Sequence, residues 1–229
     1  MILLLLLSLF NFNASALTTQ SIIEEARVLA YDPNSTSSDL FSYTQAIHML
    51  NQAQKMLVSD NHCIEQSITF NLVPGTTYYP MPSNYLTINR VTVGYKWIQE
   101  MSPAALDGRS RGWEQASGYP TYYFVNFSSR GLVGFAPWPQ TATDTDTVKI
   151  DYYINANDLL LPTDIPFNGI GELTAYQIAL SYYLAGIMDL AGGSQKGPAL
   201  MAIFNQMAAT LKNQCMNRPN YLPSGTATP

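Results

Sequence analysis

Histidine and cysteine are scarce in this 229-residue chain, with two of each. His62 and Cys63 are neighbours, the one place where a base adjoins a thiol. A Cys–His dyad would use such a pair to make a thiolate, but adjacent strand residues point to opposite faces. A zinc site needs about four ligands at set spacings, and no second pair completes one. His48 falls in a helical run near an apolar stripe and reads as a packed or capped side chain. The segment GGSQKG (192–197) lacks the Ser or Thr that follows the lysine of a phosphate loop. It also carries lysine where a nucleophile elbow has its second glycine, so it reads as a turn between helices. Asp144 and Asp146 share a loop without the glycine and distal Glu of a calcium loop. Glu24 and Glu25 are expected in a first helical turn, where carboxylates complement the helix dipole. Asn13, Asn34 and Asn126 begin glycosylation sequons. These residues assemble no active site. The expectation is a protein that is not an enzyme, with no catalytic, cofactor or metal residues.

The surrounding elements are legible from periodicity. Ser21-Ile-Ile-Glu24 fits a capping box, followed by Ile22, Ala26 and Leu29 on one face. After the turn-rich YDPNSTSS (31–38), Ser37 or Ser38 is the expected cap of a second helix from Asp39 to about Ser59, with Leu40, Tyr43, Ile47, Leu50 and Leu57 at helical spacing. From Ile64 the period drops to two. Strands are expected around Ile68–Leu72, Leu86–Val93, Tyr122–Phe127, Leu132–Phe135 and Val148–Ile154, with turns at residues 128–131 and in TATDTDT (141–147). Helical stripes return with Leu173, Tyr176, Leu180, Leu184 and Ile187, then with Leu200, Phe204, Met207 and Leu211. The last residues, MNRPNYLPSGTATP, show no periodicity and read as an extended tail.

This order predicts an α+β fold in which the N- and C-terminal helical pairs form a four-helix bundle with an inserted antiparallel β region. The expected organisation is an apolar leader or arm (1–17) and a single domain (18–213), with helices at 18–60 and 170–213 and a β region at 64–155. An extended tail (214–229) closes the chain.

Apolar residues make up 47% of the chain and charged residues only 12%, with 15 tyrosines. A surface poor in charge and rich in Tyr suits protein contact. The net charge of −5 and the lack of a basic stripe disfavour a protein that grips phosphates. Cys63 and Cys215 exclude a disulfide framework; a single bridge stays open, with two buried thiols the expected state. MILLLLLSLFNFNASA has the short apolar core and small-residue site of a signal peptide, yet no Lys or Arg precedes the core. It is too short to span a bilayer. A signal peptide, an upstream start and an apolar packing arm all remain open.

Several segments carry a resemblance. AIHMLNQAQKML (46–57) lies in the second helix, and TYYPMPSNYLTINRV (77–91) follows it. GYPTYY (118–123), LVGFAPWP (132–139) and the paired Tyr152 and Tyr153 come next, then a Leu/Ala/Tyr-rich helix. This succession, over roughly 18–213, resembles the head-to-tail adaptor (connector) proteins of tailed bacteriophages. The resemblance implies a virion protein assembled in the host cytoplasm, forming a ring of commonly twelve copies. The ring would dock under the portal protein, extend the DNA channel and receive a downstream tail protein. DNA would pass without specific binding, and neither membrane nor cofactor is involved. The apolar leader departs from the family pattern, which favours an alternative start or an arm over a signal peptide. The rival reading is a secreted or surface β-rich binding module.

Within that frame the proline-rich stretch acquires a use. Prolines fix φ and reduce the entropy lost on ordering, so Pro74, Pro80 and Pro82 would hold a loop ready for a neighbour. The expected contact residues are Tyr78, Tyr79, Pro80, Pro82 and Tyr85 there, with Arg109, Arg111 and Trp113 in LDGRSRGW. Arg218, Tyr221 and Leu222 in the tail complete the set. Twelve copies at −5 each would carry roughly −60, enough to repel a phosphate backbone from the channel wall.

Overall fold

The computed structural model describes residues 16–30, 41–125, 131–139, 147–192 and 195–216. Among them the chain divides into two compact units, a helical unit from 16–63 and 156–216 and a β unit from 64–155. Five α-helices are present among the described residues: α1 (Thr19–Ala30), α2 (Tyr43–Ser59), α3 (Pro103–Arg109), α4 (Gln177–Ala191) and α5 (Gly197–Met216). All but α3 belong to the helical unit.

Helix starts differ from the sequence reading by about a turn. The Thr18 hydroxyl accepts the Ser21 N–H at 3.3 Å, so α1 begins before the box expected at Ser21. Glu24 and Glu25 therefore lie beyond the first turn, where they accept from Gln20 Nε2 at 2.8 Å and from Ser181 Oγ at 3.2 Å. In α2 the capping box is Ser42 with Gln45, each side chain accepting the other's N–H. The helix thus starts at Tyr43 and not at Asp39; Ser37 and Ser38 lie outside the described residues.

The expected four-helix bundle with an inserted antiparallel region is overturned. A bundle gives each helix one apolar stripe facing a shared axis. In α4, however, ten of 15 residues are buried. It is sheathed on several sides, and α1, α2 and α5 each pack against it. Helix α5 contributes a narrow seam of Gly197, Phe204, Leu211 and Cys215. Close approach of α4 and α5 depends on glycine: a Cβ at Gly197 would lie 3.0 Å from the Gly186 carbonyl oxygen.

The cysteines correct a second expectation. Cys63 and Cys215 form a disulfide with a Cα–Cα distance of 5.3 Å, joining positions 152 residues apart. Both are buried. It ties the chain just beyond α2 to the end of α5.

In the β unit seven strands form one sheet: β1 (Glu65–Asn71), β2 (Tyr78–Pro80), β3 (Tyr85–Val93), β4 (Lys96–Glu100), β5 (Tyr122–Val125), β6 (Leu132–Ala136) and β7 (Thr147–Ile154). Their order is β1-β7-β3-β4-β5-β6-β2. The sheet is mixed, because β4 and β5 run parallel while the other pairs are antiparallel. Strands β1 and β2 follow each other in sequence yet occupy opposite ends of the order. Seven Cα steps from Asn71 to Tyr78 span at most ~25 Å. Seven flat strands would put the end strands ~29 Å apart. The sheet must therefore curl. Phe70 of β1 stacks on Tyr79 of β2 at 4.9 Å between ring centroids, which closes the curl with rings in place of a ladder.

The core inside the curl is built from Val91, Val93, Val133, Phe135, Val148, Ile150 and Ile154, all nearly inaccessible. These alternate positions match the period-two pattern of the sequence. The expected turn at 128–131 falls largely outside the described residues, as does most of TATDTDT.

Replacing both Cys63 and Cys215 by alanine should lower stability by about 2–5 kcal/mol, since a long loop is released in the unfolded chain. Chemical denaturation of the double variant against the oxidised parent measures it.

Candidate functional site: the crossing strand and its neighbours

The stretch between β1 and β3 is the proline-rich segment, and the structure shows what each proline does. Val73-Pro74-Gly75-Thr76 is a turn closed by the Thr76 N–H donating to the Val73 carbonyl at 3.0 Å. Gly75 has φ +79°, so proline then glycine supply the two central conformations of a type II turn. Gly75 N–H also donates to the Pro139 carbonyl at 2.8 Å. Beyond β2, Met81 N–H donates to Gly131, and the Pro82 carbonyl accepts the Tyr85 N–H at 3.1 Å. Two stiff turns thus carry a three-residue strand across to β6. Pro80 can end β2 because a strand at the sheet edge need not donate on both sides.

Tyr79 is the pin of this crossing. Its ring lies against Phe70 and, at 5.6 Å, edge-on to Phe135. Its hydroxyl accepts the Val73 N–H at 2.7 Å. Burial pushes the phenol pKa up, against the opposing pull of the Val73 contact, so the group stays protonated. Tyr78 points the other way, as alternation demands, and is 43% exposed with its ring edge 5.8 Å from Phe124. Pro80 is exposed, and Pro82 and Tyr85 are half-buried. Burial, with Glu100 nearby, raises the Tyr85 phenol.

LDGRSRGW is more ordered than a loop. Ser102 caps α3, accepting the Ala105 N–H at 3.2 Å. Arg109 ends α3 with its guanidinium 5.2 Å from the Tyr122 ring centroid, a cation–π contact. Arg111 is exposed. Trp113 is buried, donating Nε1–H to Asp107 Oδ1 at 2.8 Å and meeting Phe124 edge-on at 5.1 Å. Phe124 therefore brings Tyr78 and Trp113 together, one from β2 and one from the α3 segment. The space it fills exists because residue 134 is glycine: a Cβ there would sit 2.3 Å from Phe124 Cζ.

Residues 17–222 match a family model described as SU10 adaptor protein. The chain belongs to this family of phage head-tail adaptors. A comparison with curated proteins found no match. The adaptor is accordingly a structural virion protein of a bacteriophage, of a kind that meets other virion components. Among its described residues no helix is long and apolar enough to cross a membrane.

Elsewhere the adaptor uses its reactive side chains structurally. Cys63 is bonded to Cys215 and offers no thiolate to His62. His48 is exposed, not packed, with Nε2 3.2 Å from Gln52 Nε2. No group of His, Cys, Asp or Glu among the described residues is placed to hold a metal ion. Arg218, Tyr221, Leu222, Asp144 and Asp146 lie outside the described residues, as do Asn13, Asn34 and Asn126.

Sequence reasoning missed one charged cluster and two exposed apolar features. Asp151 on β7 accepts from Arg90 Nε at 3.1 Å and Nη2 at 2.9 Å, from Ser67 Oγ at 2.5 Å and from Lys149 Nζ at 2.8 Å. Burial raises its pKa, but Lys149, Ser67 and Arg90 outweigh it and hold the carboxyl below the usual range. The register Ser67–Asp151–Arg90 across three strands creates it, and single-strand patterning carries no such signal. The apolar features are Tyr95 with Trp97, and Leu160 with Leu161. A Tyr in a two-residue turn and a Leu run before Pro162 were the available hints.

Tyr79→Phe should cost about 1 kcal/mol, the usual net value of a hydrogen bond, and Tyr79→Ala about 3–5 kcal/mol through the cavity at the seam. Denaturant melts of the two variants separate these effects. Asp151→Asn should lose about 1.5–3 kcal/mol at neutral pH. Because the folded pKa is lowered, that contribution is complete above about pH 4 and fades as pH falls through the folded value. Melts of parent and variant taken against pH should therefore converge in acid.

Proposed function

We propose that the chain is the adaptor ring subunit that docks under the portal, extends the DNA channel and receives a downstream tail protein. The observation that carries this is the family match across residues 17–222. Supporting it, β2 and its flanking turns are stiffened before any partner arrives, which reduces the entropy lost on binding. In this reading Tyr78, Pro80, Pro82, Tyr85, Arg109 and Arg111 meet the partner. Tyr79 and Trp113 lie beneath them and set their positions. Residues 18–213 act as one adaptor domain. Residues 214–216, expected in the tail, instead complete α5. The tail beyond Met216, with Arg218, Tyr221 and Leu222, reaches along the portal, and residues 1–17 serve as an arm or an upstream start. Subunits assemble in the host cytoplasm into a ring of about twelve, and DNA passes its acidic wall without specific binding.

The Cys63–Cys215 disulfide favours a second reading, a secreted or surface β-rich binding module, because such bonds persist in oxidising compartments. The two readings part on one measurement. Native mass spectrometry of the purified chain, alone and with the portal ring of its phage, should show the chain joining the ring in several copies. A chain that stays monomeric beside the portal, with a mature N-terminus at Leu17, would establish the module instead. Tyr78→Ala combined with Arg109→Ala should weaken portal association about tenfold or more while leaving the melting temperature within a few degrees.

A further inference from the structure

The two exposed apolar features that sequence missed are built for display. The first is a lip at residues 157–165. Asp164 Oδ2 accepts the N–H groups of Leu160 and Leu161 at 2.7 and 2.8 Å. Those bonds hold its carboxyl below the usual range. Asn51 on α2 clasps Leu159 from both sides, accepting its N–H at 2.7 Å and donating to its carbonyl at 3.0 Å. Gln54 donates to the Asn157 carbonyl at 2.7 Å and accepts the Phe167 N–H at 3.3 Å. The N–H groups of Thr19 and Gln20 on α1 donate to the carbonyls of Asp164 and Pro162. Behind the lip, Phe167, Asn168 and Gly169 have φ of 56°, 58° and 68°. Two consecutive non-glycine residues in the left-handed region are a strained arrangement that surrounding bonds must sustain. All of this holds Leu160 at 74% and Leu161 at 58% exposure.

The second feature is the β3–β4 hairpin. Gly94, at φ +58°, and Tyr95 form its two-residue turn between Val93 and Lys96. Tyr95 is fully exposed and Trp97 is 55% exposed. The tip is braced, since Gly94 N–H donates to the Thr147 carbonyl at 2.8 Å and Tyr119 hydroxyl to the Val93 carbonyl at 2.8 Å. The register puts Trp97 beside Thr92 and Thr92 beside Lys149. Arg90 and Lys149 lie along the same strands with Asp151 the carboxylate between them, and Lys96 at the tip sets its ammonium 5.5 Å from the Tyr119 ring centroid.

The two patches are opposites. The lip, residues 157–165, holds Asp158 and Asp164 and no Lys or Arg. One of them, Asp158, is paired with Lys55. Residues 1–63 with 156–217 contain four Lys/Arg against nine Asp/Glu, a balance of −5 that accounts for the whole charge of the chain. The hairpin offers aromatic rings among surplus cations. Two hairpins facing each other would repel, which disfavours a two-fold contact through that patch.

We infer that the Tyr95–Trp97 hairpin of one copy seats on the Leu160–Leu161 lip of a second copy, a head-to-tail contact. It rests on the adaptor reading and gives that reading its subunit interface. Such a heterologous contact repeats from copy to copy and closes into a ring if the rotation allows. Aromatic rings on a pre-formed aliphatic lip contribute apolar burial, and charge complementarity selects the register.

The test uses the full chain assembled on the portal ring of its phage, with Trp97→Cys and Leu161→Cys combined and a short bismaleimide as probe. The native cysteines are in disulfide and do not react. The double variant should give a ladder of dimers, trimers and larger species on a denaturing gel. A mixture of the two single variants should stop at dimers, and each single variant alone should give none. If Leu161→Cys alone gives dimers, the lip pairs two-fold and the inference fails. It fails equally if the double variant joins the portal without a ladder, or if Trp97→Cys couples to the portal protein. In each of those cases the adaptor reading survives, because the chain has joined the ring; a chain that never joins defeats that reading separately. Lys96→Glu should reduce multimer yield at least tenfold while the melting temperature falls by no more than a few degrees for the lost Lys96–Tyr119 contact, and an undiminished yield would remove the charge argument.

Discussion

The closure of the β unit rests on a distance that the chain cannot exceed. Strands β1 and β2 sit at opposite ends of a seven-strand order and only six residues separate them, so the two edges have to meet. Once they meet, hydrogen bonds between them are not required. The Phe70–Tyr79 stack and the Tyr79–Val73 bond hold the seam. The rest of the unit follows from where that seam places β2. Tyr79 faces in, Tyr78 faces out, and the ring of Tyr78 settles on Phe124. Phe124 in turn needs the missing side chain at Gly134 and takes Trp113 on its other contact. A short, stiff crossing thereby organises a neighbourhood drawn from β2, β5, β6 and the α3 segment.

The helical unit obeys a different rule. Its hub, α4, is apolar around most of its circumference, so the helices around it need not form a symmetric set. What keeps the connecting strap in place is polar. Asn51, Gln54 and Lys55 lie within one turn and a half of α2, and all reach residues 157–167. Gln177, buried at the start of α4, accepts the Leu17 N–H and donates to the Pro166 carbonyl. Buried amides of this kind lose more when one partner is removed than they gain on forming, which makes the strap specific rather than merely stable. Apolar side chains can then be left in water without the backbone collapsing over them.

Much of this was legible in the sequence, and the failures are instructive. Periodicity located α1, α2, α4, α5 and five strands, because each is long enough to show several repeats of its period. It missed β2, which has three residues and ends in proline, and β4, whose single buried residue, Ile98, cannot establish alternation. It missed α3, seven residues held by the Ser102 cap. The bundle was misjudged because a stripe reports that a face is covered and not what covers it. Of the contact residues proposed from sequence, Tyr79 and Trp113 are buried within the single chain. Aromatics in such segments look alike in sequence whether they serve a partner or the chain itself; alternation along β2 turns Tyr79 inward, and the Asp107 and Phe124 contacts hold Trp113. The cysteine pairing was invisible for a similar reason: a separation of 152 residues carries no spacing signal.

That bond changes how the molecule carries load. Cys215 lies one residue before the end of α5, and Cys63 lies where the chain leaves α2 for the first strand. A pull applied beyond residue 216 is delivered through sulfur to the junction at Cys63, and the turns of α5 are shunted out of the mechanical circuit. Tension on the terminus therefore loads a covalent link before it can peel a helix from its neighbours.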